Sequence, residues 1–411
     1  MKLNNKISGF LSGLGPFIGL IIIFIAGILL NGSTFINLYN QINVLGRVSI
    51  IALPAVGMTL VILTAGIDLS VGSIVSFSSV ICAMLLMDRT WTKASVISVP
   101  IFVVFCLFVG FYISYRIICK IIGNQKLAKS LALLVGSGFA LIVFLLLNNQ
   151  VKAGFSTLSV LLIVPVIGVF LGAFSGAVIA KGKIQPFIVT LGMMSIAVGL
   201  AKYVAGKGGQ IHPIYYDAAG YSVEGTSNIA PANFDLLSDK ISVLGTNILP
   251  VTAIFFLLAV LIVHLILKKL KFGRYIYAIG GNEETARLSG INVDRVKTLV
   301  YGISGGLSAL AGVLYCAAYT QGKPDAGATW ELDAIAAVVI GGTSLMGGKG
   351  SVVGTMVGVL ILGYLGNILN LQEVSSEVQN ILKGAIIVGA VLVQEGTVVR
   401  WFKTFRKPKN Q

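Results

Sequence analysis

The chain has 411 residues, 56% of them hydrophobic and 11% charged, and its mean hydropathy is strongly positive. That balance excludes an ordinary soluble domain, in which about 25% of residues are charged. The net charge of +15 does not indicate a nucleic-acid partner, because Lys and Arg cluster in short loops between apolar runs, as they do on the cytoplasmic face of membrane proteins.

In chain order, the first apolar run, 11–30, follows Lys2 and Lys6 and superficially resembles a signal peptide. It is too long for that and lacks an A-x-A cleavage site, so it reads as a first transmembrane helix. A helix needs roughly 20 apolar residues to cross the hydrocarbon core. Further runs occupy 48–64, 71–87, 95–115, 131–147, 157–180, 186–203, 248–267, 298–319, 334–346, 352–370 and 379–395. Some are short enough to be half-helices or re-entrant pieces, so about ten to twelve crossings are expected in an all-α, polytopic, single-domain membrane protein spanning 1–411. Cys82, Cys106, Cys119 and Cys316 have no CxxC spacing and read as small buried hydrophobes, with no metal site.

Positive charge sets the orientation. The loop 116–129 carries Arg116, Lys120, Lys126 and Lys129, the turn 181–183 carries Lys181 and Lys183, and 268–297 has seven basic residues against three acids. The tail 396–411 adds Arg400, Lys403, Arg406, Lys407 and Lys409. All four fall on one side if every run crosses, which predicts cytoplasmic termini. The polar stretch 204–247, with Asp217, Glu224, Asp235 and Asp239 against Lys207 and Lys240, falls outside. Small-xxx-small spacings at Gly168, Gly172 and Gly176, at Gly302 and Gly306, and at Gly354 and Gly358 suit close helix packing within the chain.

No Ser/His/Asp set, HExxH or paired-carboxylate motif is present. His212 and His264 stand alone, as packed histidines do. GGTSLMGGKGS (341–351) invites comparison with a phosphate-binding loop but fails it twice, with Thr343 where glycine is needed and Gly350 in place of the magnesium-binding Ser or Thr. The chain is therefore not expected to be an ATPase.

Three stretches carry more signal. In AGIDLSVGS (65–73), a carboxylate sits inside an apolar run. An ionised Asp at a helix centre costs roughly 2.5–3.5 kcal/mol on insertion scales, so Asp68 must be satisfied by partners or face away from lipid. Asp68, Ser70 and Ser73 around Gly72 fit a helix break at 65–66 followed by a new helix that Asp68 or Ser70 caps. In GRYIYAIGGNEETARLSGINVDRVK (273–297), GGN at 280–282 is a helix-start signal and Glu283 and Glu284 suit the positive end of a short helix over about 283–289. A solvated connector and a helix docked in a partner's cleft are both open readings. In ELDAIAAVVIGGTSLMGGKGSVVGT (331–355), Glu331 and Asp333 lead an apolar run of about three turns that breaks at Gly341 and Gly342. Such breaks suit re-entrant helices, and also a simple inner turn.

Together these three motifs resemble the hallmark segments of the permease subunits of bacterial monosaccharide ABC importers, the ribose, xylose and galactoside group. From about 180 to 395 the resemblance is nearly continuous and closest to ribose-type permeases, including AKGKIQPFIVTLGMM (180–194). Residues 88–156 depart from the shorter ribose pattern and look like two inserted hydrophobic segments, as in the longer xylose or galactoside permeases. The resemblance implies a non-catalytic subunit without cofactor of its own in the bacterial inner membrane. A separate cytoplasmic subunit would bind ATP and magnesium, a binding protein outside would deliver the sugar, and a second permease subunit, usually an identical copy, would complete the pathway. It further implies that Gly280, Gly281, Asn282, Glu283, Glu284, Arg287 and Gly290 form the coupling loop to the ATP-binding subunit. The loop 204–247 becomes the surface for the binding protein. Asp68, Ser70, Gly72, Glu331, Asp333, Gly341 and Gly342 become helix breaks beside the translocation path. Recognition is left to the binding protein, so no pocket of stacked aromatics and fixed hydrogen-bond donors is expected. The competing reading is an ion-coupled secondary sugar transporter with Asp68 as ion site. Acids within the spans are too few to favour it, Asp68 being the sole clear case.

Overall fold

Lipid offers backbone N–H and C=O groups no partner, so the apolar runs can cross only as helices. The computed structural model describes residues 2–121, 125–215, 230–231, 233–243 and 245–394. Asp217, Glu224 and the basic tail 396–411, all used in the orientation argument, lie outside the described residues. The helices are α1 (Lys2–Ile36), α2 (Leu38–Leu63), α3 (Val71–Met87), α4 (Lys93–Ile121), α5 (Gln125–Ala153), α6 (Thr157–Gly182) and α7 (Pro186–Ala205). After them come α8 (Val251–Lys269), α9 (Lys271–Gly281), α10 (Glu283–Leu288), α11 (Val293–Tyr319), α12 (Trp330–Ile340), α13 (Val352–Leu371) and α14 (Ser376–Gln394). Two small antiparallel ribbons cap one end: β1 (His212–Pro213) with β4 (Gln321–Gly322), and β2 (Lys240–Val243) with β3 (Thr246–Pro250).

Among the described residues nine helices are long and apolar enough to cross a bilayer: α1 from Gly15, α2, α4, α5, α6, α7, α8, α11 and α13. This is a multi-pass, all-α membrane protein. The other three expected crossings are α3 with 17 residues, α14 with 19, and α12 with 11. At 1.5 Å per residue α12 spans about 16 Å, half of a hydrocarbon core of about 30 Å. Its run is shifted from the expected 334–346, because Gly341 and Gly342 turn the chain after Ile340.

The missing half of that crossing is non-helical. From β4 the chain descends along α3 with Gly322 against the Ser79 carbonyl and Gly327 against that of Gly72. Serines of α3 satisfy the exposed backbone: Ser79 Oγ accepts from Lys323 N–H at 3.1 Å and donates to its carbonyl at 3.0 Å, and Ser76 Oγ accepts from Gly327 N–H at 2.9 Å. Irregular backbone at membrane depth is tolerated where protein replaces lipid in this way.

Helices α2, α3, α6 and α11 form the core. Gly168 and Gly172 of α6 meet the carbonyls of Gly305 and Tyr301 on α11, leaving no room for a β-carbon on either. The α6 spacing thus serves packing within the chain, while on α11 Gly305 makes the closest approach in place of Gly302. Gly354 and Gly358 of α13 likewise sit on backbone carbonyls of α12 and its end, those of Gly341 and Ala337. The helices α4 and α5 form a hairpin at the periphery, and its stem closes where Phe155 N–H donates to the Leu85 carbonyl at 3.3 Å.

One stretch differs from its sequence reading. Residues 268–297 are more than a connector with one short helix, because Lys271–Gly281 forms α9 with Gly273, Ile276, Ile279 and Gly280 buried on one face. The spacing of Ile276 and Ile279 is the helical signal that the many charges around it obscured.

Candidate functional site

Helix α2 runs from the end carrying β2, where Lys240 Nζ donates to Asn43 Oδ1 at 2.9 Å, to the basic end, where it stops at Leu63. Ala65 then takes a left-handed conformation (φ 58°), which costs a non-glycine residue on the order of 1–3 kcal/mol and holds only where the surroundings impose it. Those surroundings come from three elements. Thr190 Oγ1 of α7 and Tyr301 Oη of α11 donate to the Ile67 carbonyl, at 3.3 and 3.4 Å, and Gly348 N–H donates to the Leu63 carbonyl at 3.0 Å.

Asp68 is fully buried. Its Oδ1 accepts from Ser70 N–H at 3.0 Å and Ser70 Oγ–H at 2.6 Å, and its Oδ2 accepts from Ser304 Oγ–H of α11 at 3.1 Å. Ser70, at the N-cap of α3, makes no side-chain cap bond, so Asp68 shapes the turn before the helix where a direct cap of its first turn was expected. Ser73 Oγ donates back to the Ser70 carbonyl at 2.7 Å. Each carboxylate oxygen therefore has a donor, which is how an embedded acid is accommodated. Gly72 sits one turn on, its Cα side filled by the Gly327 carbonyl and the Glu331 carboxylate.

At the basic end three backbones meet. A β-carbon on Gly280, near the end of α9, would collide with the Leu63 carbonyl of α2 and with Gly348 N, so only glycine fits there. Gly347 and Gly348 belong to the turn 341–351, braced by Tyr277 Oη of α9 donating to the Gly350 carbonyl at 2.9 Å. Gly347, Gly348 and Gly280 thus converge on the break that Asp68 shapes, although they are remote in sequence, whereas Gly341 packs on Gly354 of α13 and Gly342 faces Pro16 of α1.

From this junction α10 projects. Asn282 Oδ1 accepts from Thr285 N–H at 2.8 Å, starting the helix at Glu283 as the sequence signal indicates. Gly281, Glu283, Glu284, Arg287 and Gly290 are exposed, and Leu288 is 84% exposed. Glu283 pairs with Lys297 and, at 3.4 Å, with Arg287, which reaches Asp294 at 3.0 Å. The Asp294 carboxylate holds the Arg287 guanidinium above its ordinary pKa. Glu283 and Arg287 therefore brace the loop, leaving Glu284 and Leu288 as outward groups. Gly290, at φ 82°, makes the turn into α11.

Glu331 and Asp333 open α12 directly after the run of turns at 324–329. Asp333 forms an ion pair with Lys383 of α14 at 3.0 Å. It lines a small cavity together with Val48 and Ile51 near the middle of α2, which places this pair at half height in the bundle. Asp68 is thus not the sole acid within the spans. The sequence run placed at 334–346 began one residue past Asp333, and its partner is fifty residues away.

Between α2, α13 and α14 lies a groove of about 310 Å³ lined with amides and bases, among them Asn43, Arg47, Asn370, Gln379 and Lys383. None of these was singled out from the sequence, where no pocket combining stacked aromatics with fixed hydrogen-bond donors was expected; the groove gathers donors alone. Arg47 was the available signal: the lone charged residue, in the third turn, of the spanning helix α2.

A family model described as "Branched-chain amino acid transport system / permease component" matches residues 113–391. The chain is 37% identical to the "Ribose import permease protein RbsC" of Haemophilus influenzae, over 95% of this chain and 95% of that protein. It is also 37% identical to the protein of the same name from Bacillus subtilis, over 94% and 93%. Against the "Galactose/methyl galactoside import permease protein MglC" of Escherichia coli identity is 30%, over 90% of each. No solved structure matches.

Proposed function

This chain belongs to that family of transport-system permeases, and from that premise we propose that it is the membrane subunit of an ATP-driven importer of monosaccharides, ribose foremost. Identity to ribose import permeases exceeds that to the galactoside ones, which favours ribose over galactose, with xylose or glucose as further candidates. ATP and magnesium belong to a separate subunit, in keeping with the failed phosphate-loop pattern. A sugar-binding protein docks on the side of 204–247, a second copy of the chain completes the pathway, and both termini face the cytoplasm of a bacterial inner membrane. The excess of Lys and Arg at 181–183 and 268–297 supports this orientation. No nucleic acid takes part.

The observation that carries this reading is the glycine junction. Helix α10 is presented on the basic end, and through α9 and Gly280 it bears directly on the end of α2 and the turn 341–351. Closure of an ATP-binding partner around α10 would therefore move the break at 64–70 and the start of the path. Alternating access follows from displacing a packed, two-position element.

Measured in the complete importer, Glu284→Arg and Leu288→Glu should abolish sugar uptake and sugar-stimulated ATP hydrolysis while membrane abundance is unchanged. Full uptake by both variants sinks the coupling role of α10. Uptake that survives ATP depletion but collapses with the ion gradient would favour an ion-coupled transporter.

A further inference from the structure

We propose that the groove between α2, α13 and α14 is a sugar-contacting site on the path, a hydroxyl-reading vestibule whose floor is the Asp333–Lys383 pair. This rests on the monosaccharide-importer reading and adds to it a site and its residues.

The geometry is that of a passage. The 310 Å³ cavity begins by Asn40 and Asn43, near β2, and reaches Lys383. A second cavity of about 60 Å³ shares Val48, Ile51, Gly363 and Lys383 with it and adds Asp333 and Ala337. The two adjoin along α2, and Lys383 of the ion pair lines both. Gly366 of α13 faces open space, with nothing within 4 Å of where its β-carbon would lie. The larger volume stands at the small end of the range of roughly 300–1,000 Å³ for ligand pockets, which suits one sugar ring.

The chemistry is that of hydroxyl recognition. Each sugar hydroxyl both donates and accepts, and primary amides offer both functions side by side. Some of the amides also hold the helices together. Asn40 and Asn367 exchange two hydrogen bonds at 3.0 and 2.9 Å, and Gln379 donates to Asn370 at 2.9 Å. Packing alone does not use up the set: Gln379 donates to Asn370 Oδ1 and to the Val374 carbonyl, which leaves its own Oε1 and the Asn370 side-chain N–H groups without a partner among the described residues. Arg47 is exposed within a spanning helix and has no acid at ion-pair distance among the described residues. A guanidinium facing acyl chains is strongly disfavoured, so its surroundings are water or a polar ligand. Among the described residues no aromatic ring lines the groove, so a sugar would meet hydrogen bonds without a stacking platform, and contact of that kind is easily released.

The test is radiolabelled D-ribose uptake by the complete importer carrying Asn370→Leu, Gln379→Leu or Gly366→Phe, alongside ATP hydrolysis and melting of the purified complex. The two leucine variants should slow ribose uptake by on the order of tenfold, the equivalent of about one hydrogen bond, and narrow the preference for D-ribose over 2-deoxy-D-ribose. Gly366→Phe, which enters open space, should block uptake with melting unchanged. A purely structural role would lower both sugars' uptake in parallel with stability, and that result overturns the proposal. So does ribose uptake at the wild-type rate in all three variants. A wild-type importer that accumulates neither ribose nor galactose overturns instead the parent reading of a sugar permease.

Discussion

The helices α2 and α11 and the hairpin α4–α5 are all apolar enough to cross a bilayer, the hairpin the more so, and they are built for different surroundings. In the spanning windows of α2 and α11, 78% and 72% of residues are buried within the chain, against 11% and 22% for α4 and α5. The buried pair carries Thr59, Ser304 and Ser308, and accepts Asp68 between its members. The hairpin presents Phe108, Tyr112, Leu134 and Leu141 outward, where lipid is the solvent. Hydrophobicity drives both into the membrane, but once inside it does not distinguish helix from lipid. Close backbone approach and satisfied polar groups do, and those are confined to the core.

The sharpest way to break this contrast is to add the same bulk on either side of it. Gly172→Leu forces a side chain into the Tyr301 carbonyl and should prevent a folded protein from being recovered in detergent, whereas Gly138→Leu on α5, with nothing near it, should melt as wild type. Equal behaviour of the two would end the distinction.

Next in size is the embedded ion pair. Lys383→Ala strands the Asp333 carboxylate at half height and should cost about 3 kcal/mol, the low end for a buried pair because Lys383 is partly exposed to the groove, while the double variant Lys383→Ala/Asp333→Ala should recover much of it. Chemical denaturation of the three proteins measures the difference, and a double variant no better than the single would show that charge pairing is not what holds α12 to α14.

Smaller again is the break itself. Asp68→Ala leaves Ser70 and Ser304 without their acceptor and should cost roughly 1–3 kcal/mol. Asp68→Asn keeps an acceptor for Ser70 and should retain most stability and uptake. Loss of uptake with both, at normal stability, would point to proton traffic through Asp68.

Much of the fold was legible in the chain. The runs at 71–87, 157–180 and 352–370 correspond to α3, α6 and α13 within two residues, because a lipid-facing or buried helix is written continuously in its own residues. Asn282 and the glutamates after it foretold α10, since capping is a contact between neighbours three residues apart. The role of Asp68 was legible only in part. Its bond to Ser70 is local, and its bond to Ser304 is not.

The sequence by itself thus determined the class of protein, the places where helices start and break, and the acids and glycines that mark the breaks. Tertiary structure alone decided that Gly280, Leu63 and Gly348 meet, that a non-helical run of turns beside the α3 serines completes the crossing of α12, and that Arg47, Asn370, Gln379 and Lys383 share one groove. The physical reason is range. Capping, periodicity and insertion energy act within one or two turns of a single helix, whereas close approach and polar convergence depend on how helices hundreds of residues apart are packed.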